Sequence, residues 1–179
     1  MGTFGVGVVG IGDISDVYIT NLKRYADIVE VVGCAARDPA KARAKAAQHG
    51  LSRAYASPDE LFADPDVDIV LDLTIPSAHA ALNLAALRAG KHVYSEKPLA
   101  ATFSESLEIM ALAATNGVRV GCAPDTFLGG RLQTCRALID DGRLGDIVAA
   151  SAFVVSHGHE WHHPNPAFFY QPGGGPTGS

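Results

Sequence analysis

Phe4-Gly5-Val6-Gly7-Val8-Val9-Gly10-Ile11-Gly12-Asp13-Ile14-Ser15 carries two overlapping glycine patterns, and the fold depends on which of them is a turn. Gly5, Gly7 and Gly10 match G-x-G-x-x-G letter for letter; Gly10, Gly12 and Ser15 match it only with serine in the last place. A phosphate-cradling turn needs a strand before it and a helix after it, because main-chain N–H groups at the helix N-terminus receive the anion. A turn at Gly5 leaves only Met1 to Phe4 as strand and starts the helix near Gly10 and Gly12, which are poor helix formers. A turn at Gly10 leaves Phe4 to Val9 as the strand and Ile14 onward as the helix. Ser15 then sits where a small side chain lets helix pack on strand. Gly10, Gly12, Asp13, Ile14 and Ser15 are therefore the candidate nucleotide-binding turn, with a purely structural turn as the alternative. Gly5 becomes a strand residue, where alanine is expected to cost little.

Working outward, the apolar run Asp27 to Ala36 completes a βαβ unit, and the rhythm repeats. Asp38-Pro39 reads as an N-cap followed by proline at the first helical position, and Gly50 stops the helix they open. Ser57-Pro58-Asp59-Glu60 and Thr102-Phe103-Ser104-Glu105 read as capping boxes, the second opening a helix closed by Gly117. Asp68 to Thr74, His92 to Ser95 and Val118 to Val120 read as buried strands, and Pro76 to Ala89 as a helix ended by Gly90. This predicts an α/β fold, a Rossmann-type doubly wound parallel sheet, over residues 1–122. Residues 123–179 change character: a helix over Leu128 to Asp141, a strand over Asp146 to Val155, then a polar and aromatic loop over Ser156 to Gly175. One helix and one strand cannot bury a core of their own, and Gly173 to Ser179 has linker composition. The expectation is the start of an incomplete α+β second domain.

The 179 residues are 47% hydrophobic and 18% charged, with a net charge of -5. This composition suits a globular protein and gives no footprint for nucleic acid or an anionic membrane. No signal peptide or membrane span is legible. The three cysteines form no C-x-x-C pair, which points to a reducing, cytoplasmic setting.

A residue about 20 positions beyond the glycine turn, at the end of the second strand, distinguishes the two nicotinamide dinucleotides. An acidic side chain there would bind both ribose hydroxyls and reject a 2′-phosphate. This chain has Ala36 followed by Arg37, and a guanidinium can pair with that phosphate. The expectation is NADP(H) in preference to NAD(H). Alternatively, Arg37 is an ordinary surface residue and Asp38 only an N-cap.

Ala89-Gly90-Lys91-His92-Val93-Tyr94-Ser95-Glu96-Lys97-Pro98-Leu99-Ala100 resembles the AGKHV-x-x-EKP-(L/M)-A signature of the glucose-fructose oxidoreductase/inositol dehydrogenase (Gfo/Idh/MocA) family. The resemblance runs from Phe4 to about Pro176. It implies a nicotinamide-dependent oxidoreductase acting on a sugar, polyol or related cyclic alcohol, in a full-length protein that is a homo-oligomer. It also implies that Lys97 is catalytic, that the Lys97–Pro98 bond is cis, and that Glu96 holds Lys97 or the nicotinamide ribose. The stretch Leu73 to His79 looks like the family's cofactor-contacting turn, which marks Thr74, Ile75, Pro76 and His79. The chemistry is coherent without analogy. Hydride removal makes the alcohol proton strongly acidic, and a lysine partly buried at a strand's carboxyl end can accept or relay it.

Two features depart from the family. An Asn-x-Arg-like turn after the sixth strand is replaced by Gly121 to Phe127, leaving Asp125 as a candidate cofactor contact. The match ends at Gly173-Gly174-Gly175-Pro176, before the segment that carries the second acid/base group. A noncatalytic nucleotide-binding module or severed half-enzyme is therefore the rival reading. The loop from Ser156 to Pro164 is rich in imidazoles. His157, His159, Trp161 and His163 suit a polyhydroxylated substrate through hydrogen bonds and ring stacking. Packing of the next domain comes second and metal binding third, since the spacing matches no metal motif.

Overall fold

The computed structural model describes residues 2–153, 155, 157–158, 160 and 166–171. The chain divides into two compact units, one built on residues 1–123 and the other Pro124–Ala167.

In the first unit six parallel strands take the order β3-β2-β1-β4-β5-β6. They are β1 (Phe4–Val9), β2 (Val29–Ala35), β3 (Arg53–Tyr55), β4 (Ile69–Asp72), β5 (His92–Ser95) and β6 (Val120–Cys122). The connecting helices are α1 (Ser15–Leu22), α2 (Pro39–His49), α3 (Pro58–Ala63), α4 (Pro76–Arg88) and α5 (Phe103–Asn116). Alternate side chains of each strand feed opposite cores. Val6, Val8 and Leu71 pack with Ile19 of α1 and Ala42 and Ala46 of α2. Val9, Val70 and Val93 pack with Leu61 of α3, Leu84 and Leu87 of α4, and Ile109 of α5. The sheet is thus covered on both sides, as its apolar strands require. No helix among the described residues is long and apolar enough to cross a membrane.

Local signals set most boundaries. Asp38 caps α2 by accepting from Ala40 N, and Gly50 ends it at φ +60. Thr102 and Glu105 form the full reciprocal box at the start of α5. Ser57 accepts from Glu60 N, but the Glu60 carboxylate reaches back to Ala56 N instead of Ser57 N, so only half of that box forms.

Three expectations are corrected. β3 has no counterpart in the sequence reading; three residues are too short for a legible period. Arg53 is held by Asp64 and Asp66, and the Tyr55 hydroxyl donates to Asp64 at 2.7 Å. β6 begins at Val120, not Val118, because Val118 N donates to Ala113 O in the turn that closes α5. Asp146 to Val155 contains no strand among its described residues, and Val148, Phe153 and Val155 are exposed. β-branched residues favour a strand only where a neighbouring strand and a core face exist. In this second unit the helix is α6 (Gly130–Asp140), preceded by a 3-10 turn over Thr126–Leu128.

Gly5 is the further correction. A Cβ there would lie 1.7 Å from the Asp66 carbonyl oxygen and 2.9 Å from its carbon. Gly5 N also donates to Asp68 Oδ2 at 2.8 Å, and Asp68 N donates to Gly5 O. Gly5→Ala should therefore destabilise by at least the roughly 1–3 kcal/mol typical of overpacking. Gly12→Ala, whose Cβ meets nothing within 4 Å, should stay within about 0.5 kcal/mol. Urea denaturation of the two variants checks both; equal stabilities would refute the packing argument.

Candidate functional site

The carboxyl ends of β1, β2, β4 and β5 and the turns that leave them hold most of the candidate residues. After β1 the chain turns at Gly10, with φ +90, and Gly10 N donates to Ala35 O at 3.1 Å. A Cβ at Gly10 would come within 2.7 Å of the Leu73 carbonyl carbon, so glycine is needed for conformation and for packing. Ser15 is fully buried, and its Oγ donates to Gly12 O at 2.7 Å. This is the third position of the motif, filled by a side chain small enough to tuck under the turn. No side chain caps α1. Its first N–H groups and positive dipole end are left for a ligand, and Gly12, Asp13 and Ile14 border that space from exposed positions. The open space in front of Gly12 and the uncapped helix suit a pyrophosphate.

Beyond β2, Ala36 is half-buried and Arg37 exposed. Arg37 makes no hydrogen bond or ion pair among the described residues. The Asp38 carboxylate is committed to capping α2 through Ala40 N.

Beyond β4 lies a buried polar group that the sequence reading did not single out. Asp72 is fully buried. Its Oδ1 accepts from Thr74 N at 2.9 Å and Thr74 Oγ1 at 2.6 Å, while Oδ2 has no partner. Burial pushes the Asp72 carboxyl above its ordinary range, and the Thr74 hydroxyl, the charge of His79 and the Thr74 N–H pull it back. Ile75 is exposed and Pro76 buried. His79 departs from its expected role as a cofactor contact. It is fully buried, with Nδ1 2.6 Å from Pro98 O and Nε2 3.0 Å from Thr74 O. Both ring nitrogens are engaged by main chain, so His79 supports the walls of the site from behind.

Beyond β5, the Glu96 carboxylate is used at both oxygens. Oε1 accepts from the Tyr18 hydroxyl at 2.8 Å and Oε2 from Lys97 N at 2.8 Å. Glu96 thus holds the main chain of Lys97 and links this loop to α1. The Lys97–Pro98 peptide is cis. Lys97 is exposed instead of partly buried, and its amine has no partner among the described residues. Tyr18, Asp72, Asn83 and Ser95 are the polar residues that sequence reasoning missed. The available signal was polarity out of place: a lone acid in Ile-Val-Leu-Asp-Leu, and an asparagine one turn after His79 in an alanine- and leucine-rich helix.

Asp125 lies in the second unit, exposed, its carbonyl accepting from Leu128 N at 2.8 Å. His157 is exposed; His159, Trp161 and His163 lie outside the described residues. Among the described residues no group of three His, Cys, Asp or Glu side chains could hold a metal.

Residues 4–123 match the GFO_IDH_MocA family model, described as an oxidoreductase family with an NAD-binding Rossmann fold. The chain is 34% identical over 147 residues to a 1,5-anhydro-D-fructose reductase of Ensifer adhaerens, covering 82% of this chain and 44% of that protein. It is 35% identical over 147 residues to an inositol 2-dehydrogenase of Ralstonia nicotianae, covering 80% and 43%. Among solved structures, the WlbA dehydrogenase from Bordetella pertussis in complex with NADH and UDP-GlcNAcA is similar with a TM-score of 0.76 and 26% identity, covering 80% of this chain and 43% of that one. The chain spans less than half the length of these relatives.

The Asp72 cluster makes a pH-dependent prediction. A carboxyl whose pKa is raised by folding is best tolerated protonated, so its contribution to stability declines as pH rises through the folded-state value. The Thr74 hydroxyl favours the ionised form. Thr74→Val should therefore cost little in acid and on the order of 1–3 kcal/mol where Asp72 is ionised. Urea midpoints followed from acid to alkaline pH measure this, and an equal loss throughout would contradict it.

Proposed function

Because this chain belongs to the GFO_IDH_MocA oxidoreductase family, with its NAD-binding Rossmann fold, we propose that it serves a nicotinamide-dependent oxidoreductase acting on a sugar, polyol or related cyclic alcohol. The observation that carries this reading is the placement of two turns together. Tyr18 of α1 donates to Glu96, so the glycine turn before α1 and the Glu96-Lys97-Pro98 loop face the same end of the sheet. Relatives named for anhydrofructose reduction and inositol oxidation support the substrate class.

A bound nicotinamide supplies hydride exchange at a carbinol carbon. The chain's residues do the rest. The turn Gly10 to Ser15 and the N-terminus of α1 would receive the pyrophosphate. Thr74, Ile75 and Pro76, in the turn that leaves β4, would contact the dinucleotide. Arg37 pairs with a 2′-phosphate, which favours NADP(H) over NAD(H). Lys97 Nζ takes or relays the hydroxyl proton, the step for which a partner-free amine beside the strand ends is suited. Glu96 fixes the point from which that side chain leaves. The sequence-based assignments of Asp125 to the cofactor and of His157, His159, Trp161 and His163 to the substrate belong to this reading. The full-length protein is a cytoplasmic homo-oligomer in this reading.

Calorimetric titration with NADPH and NADH, followed by an alcohol screen reading reduced-cofactor absorbance, tests the whole proposal. Gly12→Val should weaken cofactor binding by about tenfold or more, one strong contact's worth, with unfolding unchanged. Arg37→Ala should weaken NADPH alone. Lys97→Ala should lower turnover by roughly a hundredfold or more while NADPH affinity holds; equal loss of both would sink its assigned role. Binding without turnover on any alcohol would favour a nucleotide-binding module.

A further inference from the structure

α4 carries two polar side chains on its buried face, His79 and Asn83, and neither has any exposed surface. Residues four apart lie one above the other on a helix, and polar groups in such a place are costly unless bonded. Both reach the loop that carries Lys97. His79 Nδ1 is 2.6 Å from Pro98 O. Asn83 Nδ2 donates to Leu99 O at 3.3 Å and to Ser95 Oγ at 3.1 Å, and Ser95 Oγ donates in turn to Glu96 O at 3.2 Å. The carbonyls of residues 96, 98 and 99 are therefore held by side chains on both flanks of Lys97. Through Nε2, 3.0 Å from Thr74 O, His79 also ties this loop to the turn after β4.

We propose that His79 and Asn83 are positioning residues, a two-pronged clamp that fixes the main chain of Glu96–Leu99 and hence the origin of the Lys97 side chain. The function of the clamp rests on Lys97 being the proton-transfer group proposed above. His79 cannot serve the cofactor directly, since neither ring nitrogen is spare. Its two nitrogens face Pro98 O and Thr74 O. His79 and Asn83, one turn apart on the buried face of α4, thus act as one support.

The test uses the chain without cofactor or substrate first. In Asn83→Leu, which keeps the volume and loses the donors, amide hydrogen exchange at Glu96, Lys97 and Leu99 should rise about tenfold, one hydrogen bond's worth. Exchange at Val8 and Cys34 in the central strands should not change. His79→Gln, which keeps one donor, should show a smaller rise; it also stands in if Asn83→Leu does not fold. Loop exchange unchanged in the folded variants would overturn the clamp. With an alcohol substrate in hand, Asn83→Leu should lower kcat and leave NADPH affinity unchanged; a loosened loop with full kcat would overturn the positioning role. A wild-type chain that turns over no alcohol refutes the functional reading instead, and leaves the exchange results to judge the clamp.

Discussion

Everything at the carboxyl edge of the sheet depends on the close approach of Gly10 to the main chain of Leu73 and Thr74. A Cβ at Gly10 would lie 2.7–2.8 Å from three atoms of that segment, and the backbone there has φ +90. Only glycine permits this contact without a shift. The turn leaving β1 and the turn leaving β4 consequently pack against one another in the middle of the sheet, and the N-terminus of α1 is left uncapped beside them.

Behind that edge lies a chain of buried and half-buried polar groups. Asp72 anchors Thr74, His79 spans Thr74 and Pro98, Asn83 spans Ser95 and Leu99, and Glu96 spans Tyr18 and Lys97. Such groups contribute little to stability beyond what apolar residues would, so their presence calls for a geometric reason. They define where three separate turns sit. The apolar cores on the two faces of the sheet hold it together but cannot do this, because hydrophobic burial is not directional. The two buried side-chain oxygens without a partner among the described residues, Asp72 Oδ2 and Asn83 Oδ1, both belong to this network.

The second unit shows the opposite balance. Its helix α6 has no fully buried residue, and Phe127, Leu132, Val148 and Phe153 are exposed. Among its described residues there is one α-helix and no strand, so the strand propensity of Asp146 to Val155 finds no partner there. Propensity for a strand is a statement about a neighbour as much as about the residue itself.

The sequence by itself determined the repeating βα pattern, the choice of Gly10 over Gly5 as the turn, the caps at Asp38 and Thr102, and, through the stretch Ala89 to Ala100, the family. These are local signals, carried by residues a few positions apart, and they survive reading in one dimension. The tertiary structure alone decided that Gly5 has no room for a methyl group, that His79 faces inward, that Glu96 serves Tyr18 and the Lys97 main chain, and that β3 exists at all. Each of these depends on what a distant segment places opposite the residue: Asp66 against Gly5, Pro98 against His79, α1 against Glu96, β2 beside Arg53–Tyr55. A side chain's type records what it can bond, and only the packed sheet brings its partner within reach.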